Sequence, residues 1–170
     1  MTIAVIALGA NLPGRLGAPP AATLEAAMAA LALLPGLRLC ARSALWASAA
    51  WPDPAGPRYA NAVALLEGEA EPAALLAALH ALEAAEGRVR SAANAPRPLD
   101  LDLLDLDGLV RTAPDPVLPH PRLHQRAFVL GPLAEIMPHW RHPLLGETAA
   151  ALLAALPPAD CAPLPRAGLA

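Results

Sequence analysis

The chain has 170 residues, 56% of them hydrophobic and 16% charged, with a net charge of −3. That length suits one domain with an ordinary core, and the slight acidity gives no basic footprint for nucleic acid. No apolar run is long enough to span a bilayer, because Glu25, Pro35 and Arg38 interrupt the longest candidate.

Thr2 to Leu8 is a short apolar run of β type that ends at Gly9 and reads as a buried strand. It has no basic flank, and Asn11-Leu12-Pro13-Gly14 soon breaks it, so it is not read as a signal peptide. Ala18 to Leu34 reads as a helix, with Pro19 and Pro20 suited to its start and Pro35-Gly36 to its end. Leu37 to Trp46 alternates as a strand. Ala49 to Arg58 holds Pro52, Pro54, Gly56 and Pro57 and is a loop, where binding functions tend to sit. Tyr59 to Leu66 is the next strand, and Glu71 to Glu86 a helix stopped by Gly87. Cys40 and Cys161 lack metal-type spacing, which fits the reducing cytoplasm.

The next stretch, Arg88 to Leu104, packs Arg88, Arg90, Arg97, Asp100 and Asp102 into a charge-poor chain. Leu99-Asp100-Leu101-Asp102-Leu103 alternates with period two, so the leucines enter a core while Asp100 and Asp102 share one face. Two carboxylates so placed repel unless a cation sits between them, and Mg²⁺ is commonly shared between carboxylates and a substrate's phosphates. The arginines carry forked donors that match phosphate. The same residues also fit an exposed charged loop followed by the solvated face of an edge strand. Asp105 and Asp107 need no ligand, since Asp107-Gly108 is a hairpin turn signal.

Beyond that turn, Leu109-Val110 begins a return. Thr112 to Pro121 is irregular and displays His120 between two prolines. Leu123 to Met137 reads as a helix interrupted at Gly131-Pro132, and Glu147 to Leu156 as a last short helix. His139, Trp140 and His142 form a loop with no metal-ligand logic. The domain is placed at residues 1–156, and the Pro- and Ala-rich tail, 157–170, reads as frayed. The order β-α-β-β-α-β, then a hairpin and extra helices, predicts an α+β, ferredoxin-like antiparallel sheet with helices on one face and the other left free for a site.

The residues then resemble the 6-hydroxymethyl-7,8-dihydropterin pyrophosphokinase family. The match runs through Ile6-Ala7-Leu8-Gly9-Ala10-Asn11-Leu12, Tyr59-Ala60-Asn61-Ala62-Val63-Ala64-Leu65 and Glu83-Ala84-Ala85-Glu86-Gly87-Arg88-Val89-Arg90. It continues through Ala95-Pro96-Arg97-Pro98-Leu99-Asp100-Leu101-Asp102-Leu103-Leu104 and Leu118-Pro119-His120-Pro121-Arg122-Leu123-His124-Gln125-Arg126-Ala127-Phe128. The resemblance implies transfer of pyrophosphate from ATP to the hydroxymethyl oxygen of the pterin, releasing AMP. It implies two Mg²⁺ ions on Asp100 and Asp102, with Arg88, Arg97, His120 and Arg126 gripping phosphates and Arg90 on a loop that closes over ATP. It implies a pterin held between the rings of Tyr59 and Phe128, the only Tyr and the only Phe in the chain, with Asn61 reading its edge. A cytoplasmic monomer is expected, without nucleic-acid or membrane partners. Two other readings stand beside it: another Mg-dependent phosphoryl or nucleotidyl transferase, and a non-enzymatic small-molecule-binding module.

Overall fold

The apolar opening run becomes the centre of a sheet. The computed structural model describes residues 1–87 and 96–165. Its strands are β1 (Thr2–Ala10), β2 (Leu37–Arg42), β3 (Trp46–Ser48), β4 (Tyr59–Gly68), β5 (Asp100–Leu106) and β6 (Cys161–Pro163). Its helices are α1 (Pro20–Leu31), α2 (Pro72–Ala85), α3 (Ala127–Ile136) and α4 (Ala149–Ala155). Pro20 and Pro72 stand in first turns, where a missing N–H costs nothing. The Glu71 carboxylate caps α2 by accepting from the Ala74 N–H.

The strand order is β5-β1-β4-β3-β6, with β2 beside the other half of β4, and the pairings are antiparallel. This is the predicted ferredoxin-like α+β sheet. The single strand expected over Leu37 to Trp46 is split in two. Ser43 breaks it: its Oγ accepts from the Val63 N–H and donates to the Ala44 carbonyl.

Period two divides the strands between two cores. Ala4, Ile6 and Leu8 join Ala62, Ala64, Leu66 and Leu101 against Leu24, Met28 and Leu31 of α1 and Leu75 and Leu79 of α2. On the other face Val5, Ala7, Val63, Leu65 and Leu104 meet Leu123, Val129, Leu130, Leu133 and Trp140. A fully buried leucine is worth about 1.5–3 kcal/mol, against about 1 kcal/mol for a helix cap. Burial therefore holds the layers together. The second face is not left free as expected, because α3 is almost wholly apolar and must bury itself there. Only the end of that face near Tyr59 and Asp100 stays open.

α3 runs through the expected interruption, with Pro132 inside it. Its contacts offset the roughly 3 kcal/mol that an interior proline costs. Gly131 lies flush on the Trp46 ring, and Glu135 accepts from the Ala44 N–H at 2.9 Å and the Trp46 Nε1 at 3.0 Å. Asp107-Gly108 makes the predicted turn, both residues at positive φ. The expected hairpin return does not pair with β5 among the described residues; Arg111 and Leu118 bridge to each other instead, and Pro114, Pro116 and Pro119 have no N–H to extend a ladder. The tail is not frayed over its β6 segment, which covers the open edge of β3. Arg58 and Asp160 form an ion pair beside it.

Candidate active site

Strand register brings the site together. Gly9 on β1 lies opposite Asn61 on β4 and opposite Asp100 on β5, and Ala7 lies opposite Asp102. Tyr59, Asn61, Gly9, Ala7, Asp100 and Asp102 thus occupy one face of three adjacent strands. A Cβ on Gly9 would already lie 3.7 Å from the Asn61 Oδ1 and 3.8 Å from the Tyr59 ring, so a larger side chain there would fill the floor. Above that floor is a cavity of about 830 Å³, within the usual range for a small-molecule site. Arg97, His120, Arg126 and Phe128 line it with the floor residues. Every described residue of the predicted set therefore meets in one place. Arg88 and Arg90 lie outside the described residues.

A bulge positions the charged end. Between Val5 and Ile6 the β1–β5 register slips, and the carbonyl of Leu104 turns to accept from the His120 N–H at 2.8 Å. That bond sets the His120 ring beside Asp102, with Nε2 3.9 Å from Oδ2. Arg126, at the start of α3, reaches the same oxygen at 3.2 Å, and Arg97 reaches Asp100 at 3.1 Å. Burial raises the Asp102 carboxyl above its usual range, and the Asp100 charge raises it further, against the lowering pull of His120, Arg126 and Arg97. Burial lowers the His120 imidazole, offset in part by Asp102. A carboxylate pushed toward its proton by a second carboxylate is a donor set that a hard divalent cation relieves. No group of three or more His, Cys, Asp and Glu side chains suited to a metal forms among the described residues. Such a cation would complete its shell with phosphate and water, the habit of Mg²⁺.

The other end is flat and aromatic. Asn61 is buried and donates from Nδ2 to the Ser48 Oγ at 2.9 Å, which fixes the plane of its amide. The Arg126 guanidinium stands 5.6 Å from the centre of the Phe128 ring, within cation–π range. The cavity thus joins a charged half to a half built for a planar, polar-edged molecule.

The family model for 7,8-dihydro-6-hydroxymethylpterin-pyrophosphokinase (HPPK) matches residues 5–138. The chain belongs to this family. A Methylorubrum extorquens protein named 2-amino-4-hydroxy-6-hydroxymethyldihydropteridine pyrophosphokinase is 39% identical over 158 residues, covering 93% of this chain and 96% of that one. A Pseudomonas aeruginosa protein of the same name is 42% identical over 156 residues, covering 89% and 90%. Among solved structures, wild-type Plasmodium falciparum HPPK-DHPS superposes with a TM-score of 0.69 at 13% identity over 90% of this chain. The present chain spans only 44% of that longer protein, and the likeness shows the fold.

Several residues around the site carry no clear mark in the sequence. Glu83 of α2 is buried and accepts from the Leu101 N–H at 2.7 Å, tying the edge strand between Asp100 and Asp102 to the helix behind it. A lone acid on the apolar face of an Ala/Leu helix was the available signal. Trp51 and Cys161 also line the cavity. A frayed tail would give Cys161 no place in the site; the β6 pairing supplies one. Asp105, read as a turn residue, is one: Oδ1 accepts from the Gly108 N–H, while Oδ2 accepts from the buried Trp140 Nε1 at 2.9 Å.

Proposed function

We propose that this protein transfers pyrophosphate from ATP to the hydroxymethyl oxygen of 6-hydroxymethyl-7,8-dihydropterin, giving the pterin diphosphate and AMP for folate synthesis. The observation that carries the reading is one cavity holding Asp100, Asp102, Arg97, His120 and Arg126 at one end and Tyr59, Asn61 and Phe128 at the other. Membership of the HPPK family and the names of its relatives support the same reaction.

In this reading the pterin lies between the Tyr59 and Phe128 rings, and the Asn61 amide meets its edge. Its hydroxymethyl oxygen then points along the floor toward Asp100 and Asp102. ATP enters from the arginine side with its β-phosphorus facing that oxygen. The new bond joins the oxygen to the β-phosphorus, the bond from that phosphorus to the AMP oxygen breaks, and the hydroxyl proton passes to solvent water. Asp100 and Asp102 would hold two Mg²⁺ ions, which when bound neutralise charge on the triphosphate. Arg97 and Arg126, which pair with these carboxylates, would present their forked donors to phosphate oxygens. His120 adds a donor on the same side. Arg88 and Arg90, which lie outside the described residues, join the phosphate set in this reading. The proposal takes the protein to act as a monomer in the cytoplasm.

The test is direct. The protein is incubated with ATP, Mg²⁺ and the hydroxymethyl-dihydropterin, and AMP and pterin diphosphate are measured. Formation of both in equal amounts is expected. ADP in place of AMP, or AMP release independent of the pterin, would refute the reading.

A further inference from the structure

Asn11 sits where the turn after β1 meets both walls of the cavity, and it is only 5% exposed. Its Oδ1 accepts from the Arg97 N–H at 3.0 Å. The backbone N–H groups of Asn11 and Leu12 donate to the Arg97 carbonyl at 3.2 and 3.3 Å. Both backbone groups of Arg97 are therefore fixed on one distant dipeptide. The Asn11 Nδ2 donates the other way, to the Pro57 carbonyl at 3.2 Å, two residues before Tyr59. One primary amide, a donor and an acceptor on a short stem, thus joins the arginine of the charged end to the loop leading into the aromatic end.

We infer that Asn11 is a positioning residue for the reaction: it holds Arg97 in place and registers the pterin-side loop against it. This rests on the proposed function above. Residues 96–99 belong to no helix or strand. No ladder fixes where the Arg97 side chain begins, and the three bonds to Asn11 and Leu12 do so instead. Phosphoryl transfer depends on positioning and charge stabilisation, and a shift of about 1 Å in such a group costs up to about 100-fold in rate. Asn11 touches no reacting atom in this account. It acts through Arg97 on one side and through the Pro57–Tyr59 segment on the other.

The experiment is a double-mutant cycle in the full chain, read as kcat at saturating ATP, Mg²⁺ and pterin, with thermal unfolding recorded for each variant. Asn11→Ala should lower kcat about 10- to 100-fold in the otherwise native protein. In the Arg97→Ala background it should cost no more than about threefold, since independent losses would multiply and coupled ones do not. Asn11→Asp keeps the oxygen facing Arg97 and loses the donor to Pro57. It should recover part of the lost kcat while the KM for the pterin stays raised. Equal losses in both backgrounds, or the same kcat for Asn11→Ala and Asn11→Asp, would overturn the inference and leave Asn11 a general support. If Asn11→Ala shows no unfolding transition, Asn11→Ser, too short to reach Arg97, takes its place in the cycle. Absence of AMP from the native protein is a separate result, and it would strike the reading of the site itself.

Discussion

Arg126 and Asp102 lie 3.2 Å apart on the cavity wall, so the carboxylate proposed to hold a metal also pairs with an arginine. The pairing is incomplete compensation, because burial and Asp100 still raise the Asp102 carboxyl. The sign follows. A carboxyl with a raised folded-state pKa stabilises the fold below its unfolded pKa, and that contribution is lost as pH rises through the folded value. Above its unfolded pKa the Asp102 carboxyl is therefore a burden on the protein without metal. Asp102→Asn should leave thermal stability in chelator equal or higher, and should abolish most turnover. Mg²⁺ should raise the unfolding temperature of the native protein more than that of the variant. Equal shifts in the two proteins would remove Asp102 from the metal site.

Phe128 tests the other end. Its ring is half-buried at the start of α3, beside Arg126. Phe128→Ala should weaken pterin binding by about 1–3 kcal/mol, the value of one stacking platform for a base. ATP binding should change far less. Titration calorimetry with each ligand gives the comparison, and equal losses would mean that the ring only supports the fold.

Gly131 sets two effects against each other. Alanine is the better helix former by about 1 kcal/mol. A Cβ here, however, would lie 2.6 Å from the Trp46 ring, and that ring is held by Glu135. Overpacking of a fixed core costs about 1–3 kcal/mol and should win. Gly131→Ala is expected to lower the midpoint of urea unfolding, and an unchanged or raised midpoint would show that the Trp46 ring gives way.

The second core holds a pH-sensitive residue outside the site. His142 is buried, and its Nδ1 accepts from the Leu144 N–H at 3.2 Å and the Leu145 N–H at 3.3 Å, which requires a neutral ring. Burial lowers its pKa, the neighbouring His124 lowers it further, and Asp105 opposes them. A histidine with a depressed folded-state pKa takes up protons more readily when unfolded. The stability it contributes is present above the unfolded value of about 6.5, and is lost as pH falls from there toward the lowered folded value. His142→Asn keeps an acceptor near Nδ1 and removes the titration. Its unfolding free energy should lose up to about 1.4 kcal/mol per pH unit of the slope below pH 6.5. An unaltered slope would place that proton uptake elsewhere.

What the sequence revealed of this molecule was local. Asp100 and Asp102 could be put on one face because alternation is written into five consecutive residues. Tyr59 and Asn61 followed by the same rule. The bulge beside Leu104 has no such mark, and with it the burial of Asp105 beneath Trp140 was hidden. The break at Ser43 depends on a hydroxyl finding Val63 across the sheet. The unbroken α3 depends on Gly131 meeting Trp46. The bond from Asn11 to Arg97 spans 86 residues and leaves no trace in either segment. Partners distant in sequence, not weak propensities, account for most of what was missed.

Arg97 gives the most direct test of the chemistry. Its backbone is fixed by Asn11, and its guanidinium lies 3.1 Å from Asp100 at the mouth of β5. It therefore stands where, in the proposed function, the phosphates and the Asp100 and Asp102 carboxylates would meet. Phosphoryl transfer asks the protein for charge stabilisation in the transition state and little covalent work. Arg97→Ala should lower kcat by about 10²-fold or more, the scale of one lost charge-stabilising donor. ATP affinity should fall much less, because His120, Arg126 and the cations still hold the ground state. Arg97→Lys should rescue only in part, since an ammonium is a point charge and does not fork across two oxygens. Single-turnover chemistry set beside equilibrium ATP binding separates the two roles. If binding collapses while the chemical step keeps its native rate, Arg97 anchors the nucleotide without stabilising the transition state.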